Sequence, residues 1–154
     1  MRVRLTLTSD AALTMRTLGR SVRVLVAHPR VAARIKNLHD LGTASLLTTS
    51  DEAADCIWPL MNAHGETHEI RQMPRFGSQD MSMVRDAALA GLGVAWLPDH
   101  FVREALENGL LVQVLPDWTG PEGIVHLVFT TRRGLPSAVR AFIDHLAAGF
   151  PKRF

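Results

Sequence analysis

The stretch Asp86-Ala-Ala-Leu-Ala-Gly-Leu-Gly-Val-Ala-Trp-Leu-Pro-Asp99 narrows the possible folds more than any other part of the chain. Residues 81–90 place Val84, Ala87 and Ala88 on one face of a helix. Gly91-Leu-Gly93 follows, and then the apolar run Val94 to Leu97, which reads as a short buried strand. A phosphate-cradling loop has the opposite order: its glycines leave a strand and open a helix, so that helix N–H groups face the anion. Here the glycines close a helix. Gly91 or Gly93 therefore reads as a helix C-cap, where a positive φ costs glycine nothing. A helix that turns back directly into a buried strand is a piece of an α/β fold.

The rest of the chain alternates in the same way. Val22 to Ala27 reads as a strand that is apolar on both faces, ended by His28-Pro29. Arg30 to Leu38 can form a helix with Val31, Ile35 and Leu38 on one face, and Ala44 to Leu47 a strand. Thr49-Ser-Asp-Glu52 matches a capping box for a short helix. Ile57 to Met61 and His68 to Met73 flank the turn residues Asn62-Ala-His-Gly65 and suggest a hairpin. Asp99 can cap a helix that runs to Glu107 and ends at Asn108-Gly109. Leu110 to Leu115 and Ile124 to Thr130 read as strands, and Val3 to Leu7 can supply another. Pro136 suits the first position of a last helix whose stripe is Val139, Phe142, Ile143 and Leu146, with Gly149 to cap its end. The expectation is an α/β domain with a largely parallel sheet.

Composition matters at two points. Hydrophobic residues make up 47% of 154, enough for a real core, and no apolar run approaches the ~20 residues of a membrane-spanning helix. The N-terminus has no apolar signal region, and Cys56, the single cysteine, cannot form an internal disulfide. Both favour the cytoplasm. The net charge of +2 gives no nucleic-acid signal, but its distribution is uneven. Residues 1–36 carry eight Arg or Lys against Asp10, residues 37–131 carry four against thirteen acids, and residues 132–154 carry five against Asp144. This pattern fits a chain that leaves one lobe, builds a second and returns, and it equally fits chance clustering of surface charge.

Few residues offer chemistry. His64 and His68 stand four apart, but Gly65 and the hairpin context argue against a shared helical zinc site. Cys56, between Asp55 and Ile57, reads as a small core residue rather than a nucleophile. There is no G-x-S-x-G elbow or Walker A motif, so no catalytic residue, metal ligand or cofactor is expected. The segment Gly77-Ser-Gln-Asp80 is the best candidate site. It joins a strand to a helix, where N–H groups and the helix dipole can hold a carboxylate, at the carboxyl edge of the sheet. Plain capping by Ser78 or Asp80 is the competing reading.

The chain resembles the effector-binding domain of LysR-type transcriptional regulators. The resemblance rests on Asp10-Ala-Ala-Leu-Thr-Met-Arg-Thr-Leu-Gly19, Arg23-Val-Leu-Val-Ala27, Trp58-Pro-Leu60, Pro74-Arg75, and Arg85 to Gly93 with Leu97-Pro98. It continues through Leu110 to Pro116 and Val128-Phe-Thr-Thr-Arg-Arg133 into the last helix. It implies a two-lobed, periplasmic-binding-protein-like (type II) domain. The second lobe would be complete over residues 25–125, the first incomplete over 1–24 and 126–154, and the crossovers near 22–27 and 125–130. It further implies a small-molecule effector held between the lobes, contacted here by Gly77, Ser78, Gln79 and Asp80, and a homo-oligomer. DNA would be bound only through an N-terminal winged helix-turn-helix that these residues do not contain. A stand-alone solute-binding module of the same fold is the alternative, and a small α/β hydrolase a more distant one.

Overall fold

A computed structural model describes residues 2–4, 13–50, 54–130 and 135–150. In chain order the strands are β1 (Arg2–Arg4), β2 (Leu13–Ser21), β3 (Arg23–Ala27), β4 (Leu46–Thr48), β5 (Cys56–Asn62), β6 (Thr67–Gln72), β7 (Phe76–Gly77), β8 (Val94–Pro98), β9 (Val112–Gln113), β10 (Trp118–Thr119) and β11 (Gly123–Thr130). The helices are α1 (Pro29–Ala32), α2 (Leu38–Thr43), α3 (Met81–Leu89), α4 (Asp99–Glu107) and α5 (Ser137–Gly149). Two compact units emerge, one from Met1–Ser21 with Glu122–Phe154 and one from Val22–Pro121.

The Val22–Pro121 unit is built on one sheet, ordered β6-β5-β10-β3-β8-β4-β7, with β9 also on β3. Its centre is buried on both faces, as the unbroken apolar runs require. Val24, Val26, Ala95 and Leu97 point to one face and pack with Val84 and Ala88 of α3 and Val102 of α4. Leu25, Ala27, Val94 and Trp96 point to the other and pack with Leu41 of α2 and with Trp58, Leu60 and Ile70. The sheet is mixed, which corrects the expected parallel one. Among the described residues only β4 pairs in parallel, with β7 and β8. β3 runs antiparallel to β8, β9 and β10, and β5 antiparallel to β6 and β10. Hydrophobic periodicity reports burial and carries no information on strand direction.

Local chemistry explains most element ends. Gly91 closes α3 at φ +78°, with Gly91 N–H donating to Ala88 C=O at 2.9 Å and Leu92 N–H to Ala87 C=O at 3.1 Å. That pair is a Schellman motif, so Gly91 is the C-cap glycine. Gly93 serves another purpose. A Cβ there would lie 2.2 Å from the Ser45 carbonyl oxygen, so only glycine lets β8 start beside β4. The hairpin of β5 and β6 closes through Gly65 N–H to Asn62 C=O at 3.0 Å and Asn62 N–H to Glu66 C=O at 3.1 Å, with Gly65 at φ +78°. This is a type I turn followed by a left-handed glycine bulge.

Several expectations need correcting. The helix expected over Arg30 to Leu38 is two helices, because Asn37 accepts from Asp40 N–H at 3.0 Å while the Asp40 carboxylate accepts from Lys36 N–H at 2.8 Å. This reciprocal cap starts α2 afresh inside a continuing apolar period. Asp99 is the first helical residue of α4 rather than its cap, a position held by Pro98. Pro136 precedes α5 instead of opening it, and Gly149 is its last helical residue. The strand expected over Leu110 to Leu115 shrinks to β9, and β2 and β10 were not anticipated. Asp51 and Glu52 of the expected Thr49–Glu52 capping box, and the end of the Val3 to Leu7 strand, fall outside the described residues.

The other unit has a three-stranded antiparallel sheet, ordered β1-β11-β2, with α5 packed on it. Val125, Leu127 and Ile143 are buried, and Arg16 of β2 pairs with Asp144 of α5. The expected stripe on α5 divides: Ile143 is buried and Leu146 half-buried, but Val139 and Phe142 are 39% and 50% exposed.

Gly93→Ala is expected to lower stability in urea unfolding by about 1–3 kcal/mol, the usual cost of forcing atoms into packed space. Gly42→Ala, where nothing lies within 4 Å of a new Cβ, is expected to be neutral or stabilising by a few tenths of a kcal/mol, roughly the gain from a better helix former.

Candidate functional site

Residues 77–80 form the link from β7 into α3. Ser78 N–H donates to Thr48 C=O at 3.1 Å, which continues the parallel pairing of β7 with β4 past the strand's end. The segment therefore stands at the carboxyl edge of β4 and β7, where α3 begins. Each residue has a local role. A Cβ on Gly77 would lie 2.1 Å from the Ser50 carbonyl oxygen, so glycine permits close backbone contact there. Ser78 Oγ accepts from Asp80 N–H at 3.1 Å and donates to Met83 Sδ at 3.6 Å. Asp80 is the N-cap of α3, its carboxylate accepting from Ser82 N–H at 2.8 Å. Gly77 and Ser78 are half-buried, and Gln79 and Asp80 are exposed. The capping reading thus describes Asp80, and the positive end of α3 lies beside it.

The other candidates have structural roles. His64 sits in the β5–β6 turn, its N–H donating to Asn62 Oδ1 at 3.0 Å, and His68 lies in β6 with its ring edge-on to Trp118 at 6.3 Å. They occupy a turn and a strand, not one helix. Among the described residues, no three His, Cys, Asp or Glu side chains gather where they could hold a metal ion. Cys56 is buried and donates its thiol to Gln72 C=O at 3.3 Å. Burial pushes its pKa up, with the Asp55 charge adding to that and backbone hydrogen bonds opposing it. A protonated, buried thiol is a poor nucleophile.

Two features have no counterpart in the expectations drawn from sequence. Arg23, at the start of β3, lays its guanidinium 4.9 Å from the centre of the Trp96 ring, and Trp96 stacks on Trp58 at 5.9 Å. Desolvation lowers the Arg23 pKa, though not enough to discharge a guanidinium. The register that pairs Leu25 with Trp96 puts Arg23 on the same face as the ring, two residues along. Strand pairing of that kind is not legible before the partner strand is known. The second feature is a depression of about 400 Å³ whose lining includes Arg34, Asp40, Ser45, Arg75 and Gly93. Ser45, Arg75 and Gly93 immediately precede β4, β7 and β8, so this depression marks the amino edge of the parallel strands, opposite residues 77–80.

Comparison with known proteins agrees with this architecture. The family model described as LysR substrate binding domain matches residues 2–151. A probable HTH-type transcriptional regulator of Klebsiella pneumoniae, LtrA, is 31% identical over 115 residues, covering 73% of this chain and 37% of the relative. The chain thus spans well under half the length of that relative. Among solved structures, the full-length Vibrio cholerae virulence activator AphB, a member of the LTTR protein family, superposes with a TM-score of 0.79 at 30% identity, over 97% of this chain and 51% of that one. The CrgA regulatory domain of Neisseria meningitidis, a LysR-type transcriptional regulator, gives a TM-score of 0.82 at 21% identity, over 97% and 74% of the two chains, a likeness of fold.

Two measurements check these assignments. Asp80→Ala is expected to cost about 1 kcal/mol in urea unfolding, the usual loss of an N-cap. Cys56 is expected to react with iodoacetamide far more slowly than a free peptide thiol at pH 8, by mass spectrometry of the native chain. Its raised pKa means that the folded state keeps a proton which the unfolded chain releases. Its contribution is complete below the ordinary thiol range, and stability falls as pH rises from there toward the raised value.

Proposed function

Because the chain belongs to the LysR substrate binding domain family, we propose that it is the small-molecule sensing module of a bacterial transcriptional regulator acting in the cytoplasm. The fold is the α/β, periplasmic-binding-protein-like type II fold of LysR regulatory domains. The observation that carries the proposal is the family match over residues 2–151, supported by likeness over 97% of this chain to a full-length activator of the same family. On this reading the two compact units are the two lobes. The effector favours one arrangement of them, and that differential affinity shifts the geometry of a homo-oligomer. Contact with DNA belongs to a helix-turn-helix outside these residues. The module is a sensor rather than an enzyme, and it needs no cofactor.

Gly77, Ser78, Gln79 and Asp80 are the proposed contribution of the Val22–Pro121 unit to effector recognition. In support, they sit at a helix N-terminus on the carboxyl edge of parallel strands, the usual ligand side of open α/β sheets. Among the described residues, no helix is long and apolar enough to cross a membrane.

Calorimetric titration of the chain with a panel of small mono- and dicarboxylates tests the reading. At least one is expected to bind saturably, with Ser78→Ala and Gln79→Ala each weakening it about tenfold, as loss of one charge-assisted hydrogen bond predicts. Affinity unchanged in both variants removes these residues from the site.

A further inference from the structure

The sheet of the Val22–Pro121 unit ends on one side at β7, which is two residues long, and on the other at β6, which is six. Exposed edge strands are normally protected by proline, bulges, shortness or charged side chains, and the only charges on β6 are one of each sign, Glu69 and Arg71. β6 reads Thr67-His-Glu-Ile-Arg-Gln72: it has no proline, and it pairs with β5 in unbroken register from Cys56–Gln72 to Met61–Thr67. Among the described residues, nothing pairs with its outer side.

The hairpin geometry says which groups that side presents. Asn62 N–H donates to Glu66 C=O, so Asn62 and Glu66 are a hydrogen-bonded pair. Hydrogen-bonded and open pairs alternate along an antiparallel ladder. Leu60–His68 and Trp58–Ile70 are then bonded pairs, and Met61–Thr67, Pro59–Glu69 and Ile57–Arg71 are open ones. Pro59 agrees, since its missing N–H is not needed toward β6. The backbone groups of Thr67, Glu69 and Arg71 therefore point away from β5, along the open edge.

We propose that the β6 edge joins a second copy of this chain, strand to antiparallel strand, with Ile70 opposite Ile70 across a two-fold axis. This register sets Glu69 of each copy directly opposite Arg71 of the other, and it makes those two residues the hydrogen-bonded pairs that the outward N–H and C=O groups require. The neighbouring registers with the same bonding set place Glu69 against Glu69 or Arg71 against Arg71, and like charges directly opposite are repulsive. The charge pattern thus selects one register and one partner. A closed, self-complementary interface of this kind is what a two-fold axis demands. Glu69 and Arg71 already touch within one strand, at 3.2 Å, and both side chains are more than half exposed. They are available to form a four-membered ring of alternating charge. Along the same edge, between β6 and α2, runs a groove of about 450 Å³ bordered by Gly42 and Thr43, with nothing within 4 Å of a Cβ on Gly42. An incoming strand would run beside this groove. The proposal is independent of the effector reading, since neither charged residue belongs to 77–80.

Light scattering of the 154-residue chain across a concentration series tests it, using E69R, R71E, their equimolar mixture and the double variant E69R/R71E. The wild-type chain is expected to dimerise with concentration. Each single reversal is expected to weaken association at least tenfold, with an unchanged circular dichroism spectrum. The mixture is expected to recover association as a heterodimer, because the all-basic strand of one chain then faces the all-acidic strand of the other. The double variant, which only exchanges the two charges, is expected to recover it alone. Should a reversal fail to fold, E69Q and R71Q carry the test: each is expected to weaken association, and mixing them to recover part of it, because Arg71 of the E69Q chain still faces Glu69 of the R71Q chain. F142D, on the exposed face of α5, is expected to leave dimerisation intact. A wild-type monomer at every concentration overturns the proposal. So do single variants that associate like wild type, a mixture of reversals that does not recover, or association lost in F142D and kept in the β6 variants.

Discussion

Burial of β3 and β8 on both faces is the constraint from which the larger unit follows. Leu25, Val26, Ala27, Val94, Ala95 and Leu97 have no exposed surface. A strand buried on both sides needs a layer above and a layer below, since each large side chain left in water forgoes about 1.5–3 kcal/mol. Helices α3 and α4 supply one layer, and α1, α2 and the inward residues of β5 and β6 supply the other. The glycines make this sandwich possible at close range. Gly91 turns α3 back toward the sheet, and Gly93 lets β8 start against the Ser45 carbonyl. The N-terminus of α3 then has one place to go, the carboxyl edge of β4 and β7. The candidate site is a consequence of core packing rather than an addition to it.

The smaller unit follows a looser rule. Its sheet has one helix packed on it among the described residues, and the helix meets it chiefly through Ile143, with Leu146 behind and the Arg16–Asp144 pair at the side. An exposed ion pair of this kind contributes about 0–1 kcal/mol, less than a single buried isoleucine. Val139 and Phe142 share the helix but not the contact. A stripe at helical spacing marks what a helix can bury, and the width of the surface beneath it decides how much it does bury.

What could be read in advance was whatever local chemistry determines. The buried runs at Val22 to Ala27 and Val94 to Leu97, the hairpin around Asn62 to Gly65, and α3 with its glycine cap all depend on neighbours in sequence. The break between α1 and α2 was local too, but the Asn37–Asp40 cap was masked by Val31, Ile35 and Leu38, which keep helical spacing across it. β2 was hidden for another reason. Arg16 faces α5, where an apolar residue is expected, and the ladder shifts register between Val125 and His126, so Leu13 to Ser21 carries no clean alternation. Strand direction and the stacking of Arg23 on Trp96 depend on partners distant in sequence, and no local pattern encodes them. At residues 77–80 the sequence located the helix start and the two competing roles. It could not say which groups the Ser78 hydroxyl would engage.

Those engagements bear on what the site can hold. The terminus of α3 favours an anion by about 0.3–1 kcal/mol. A carboxylate 4 Å from the Asp80 carboxylate is repelled by about 1 kcal/mol in water, and by about 4 kcal/mol at the dielectric of a protein surface. Asp80 has turned one oxygen onto Ser82 N–H, and its carboxyl group stays beside that terminus. Repulsion therefore equals or exceeds the helix contribution wherever a ligand anion comes that close. Residues 77–80 contain no cation to reverse the balance. A carboxylate effector, if it were held at this segment, would have to approach from the Ser78 side, where the hydroxyl can exchange its weak contact with Met83 sulfur for a stronger one, and would have to draw its charge compensation from outside the segment. An effector that offers a hydroxyl or amide to Ser78, and carries its negative charge at the far end, suits the segment better than a carboxylate seated on the helix axis.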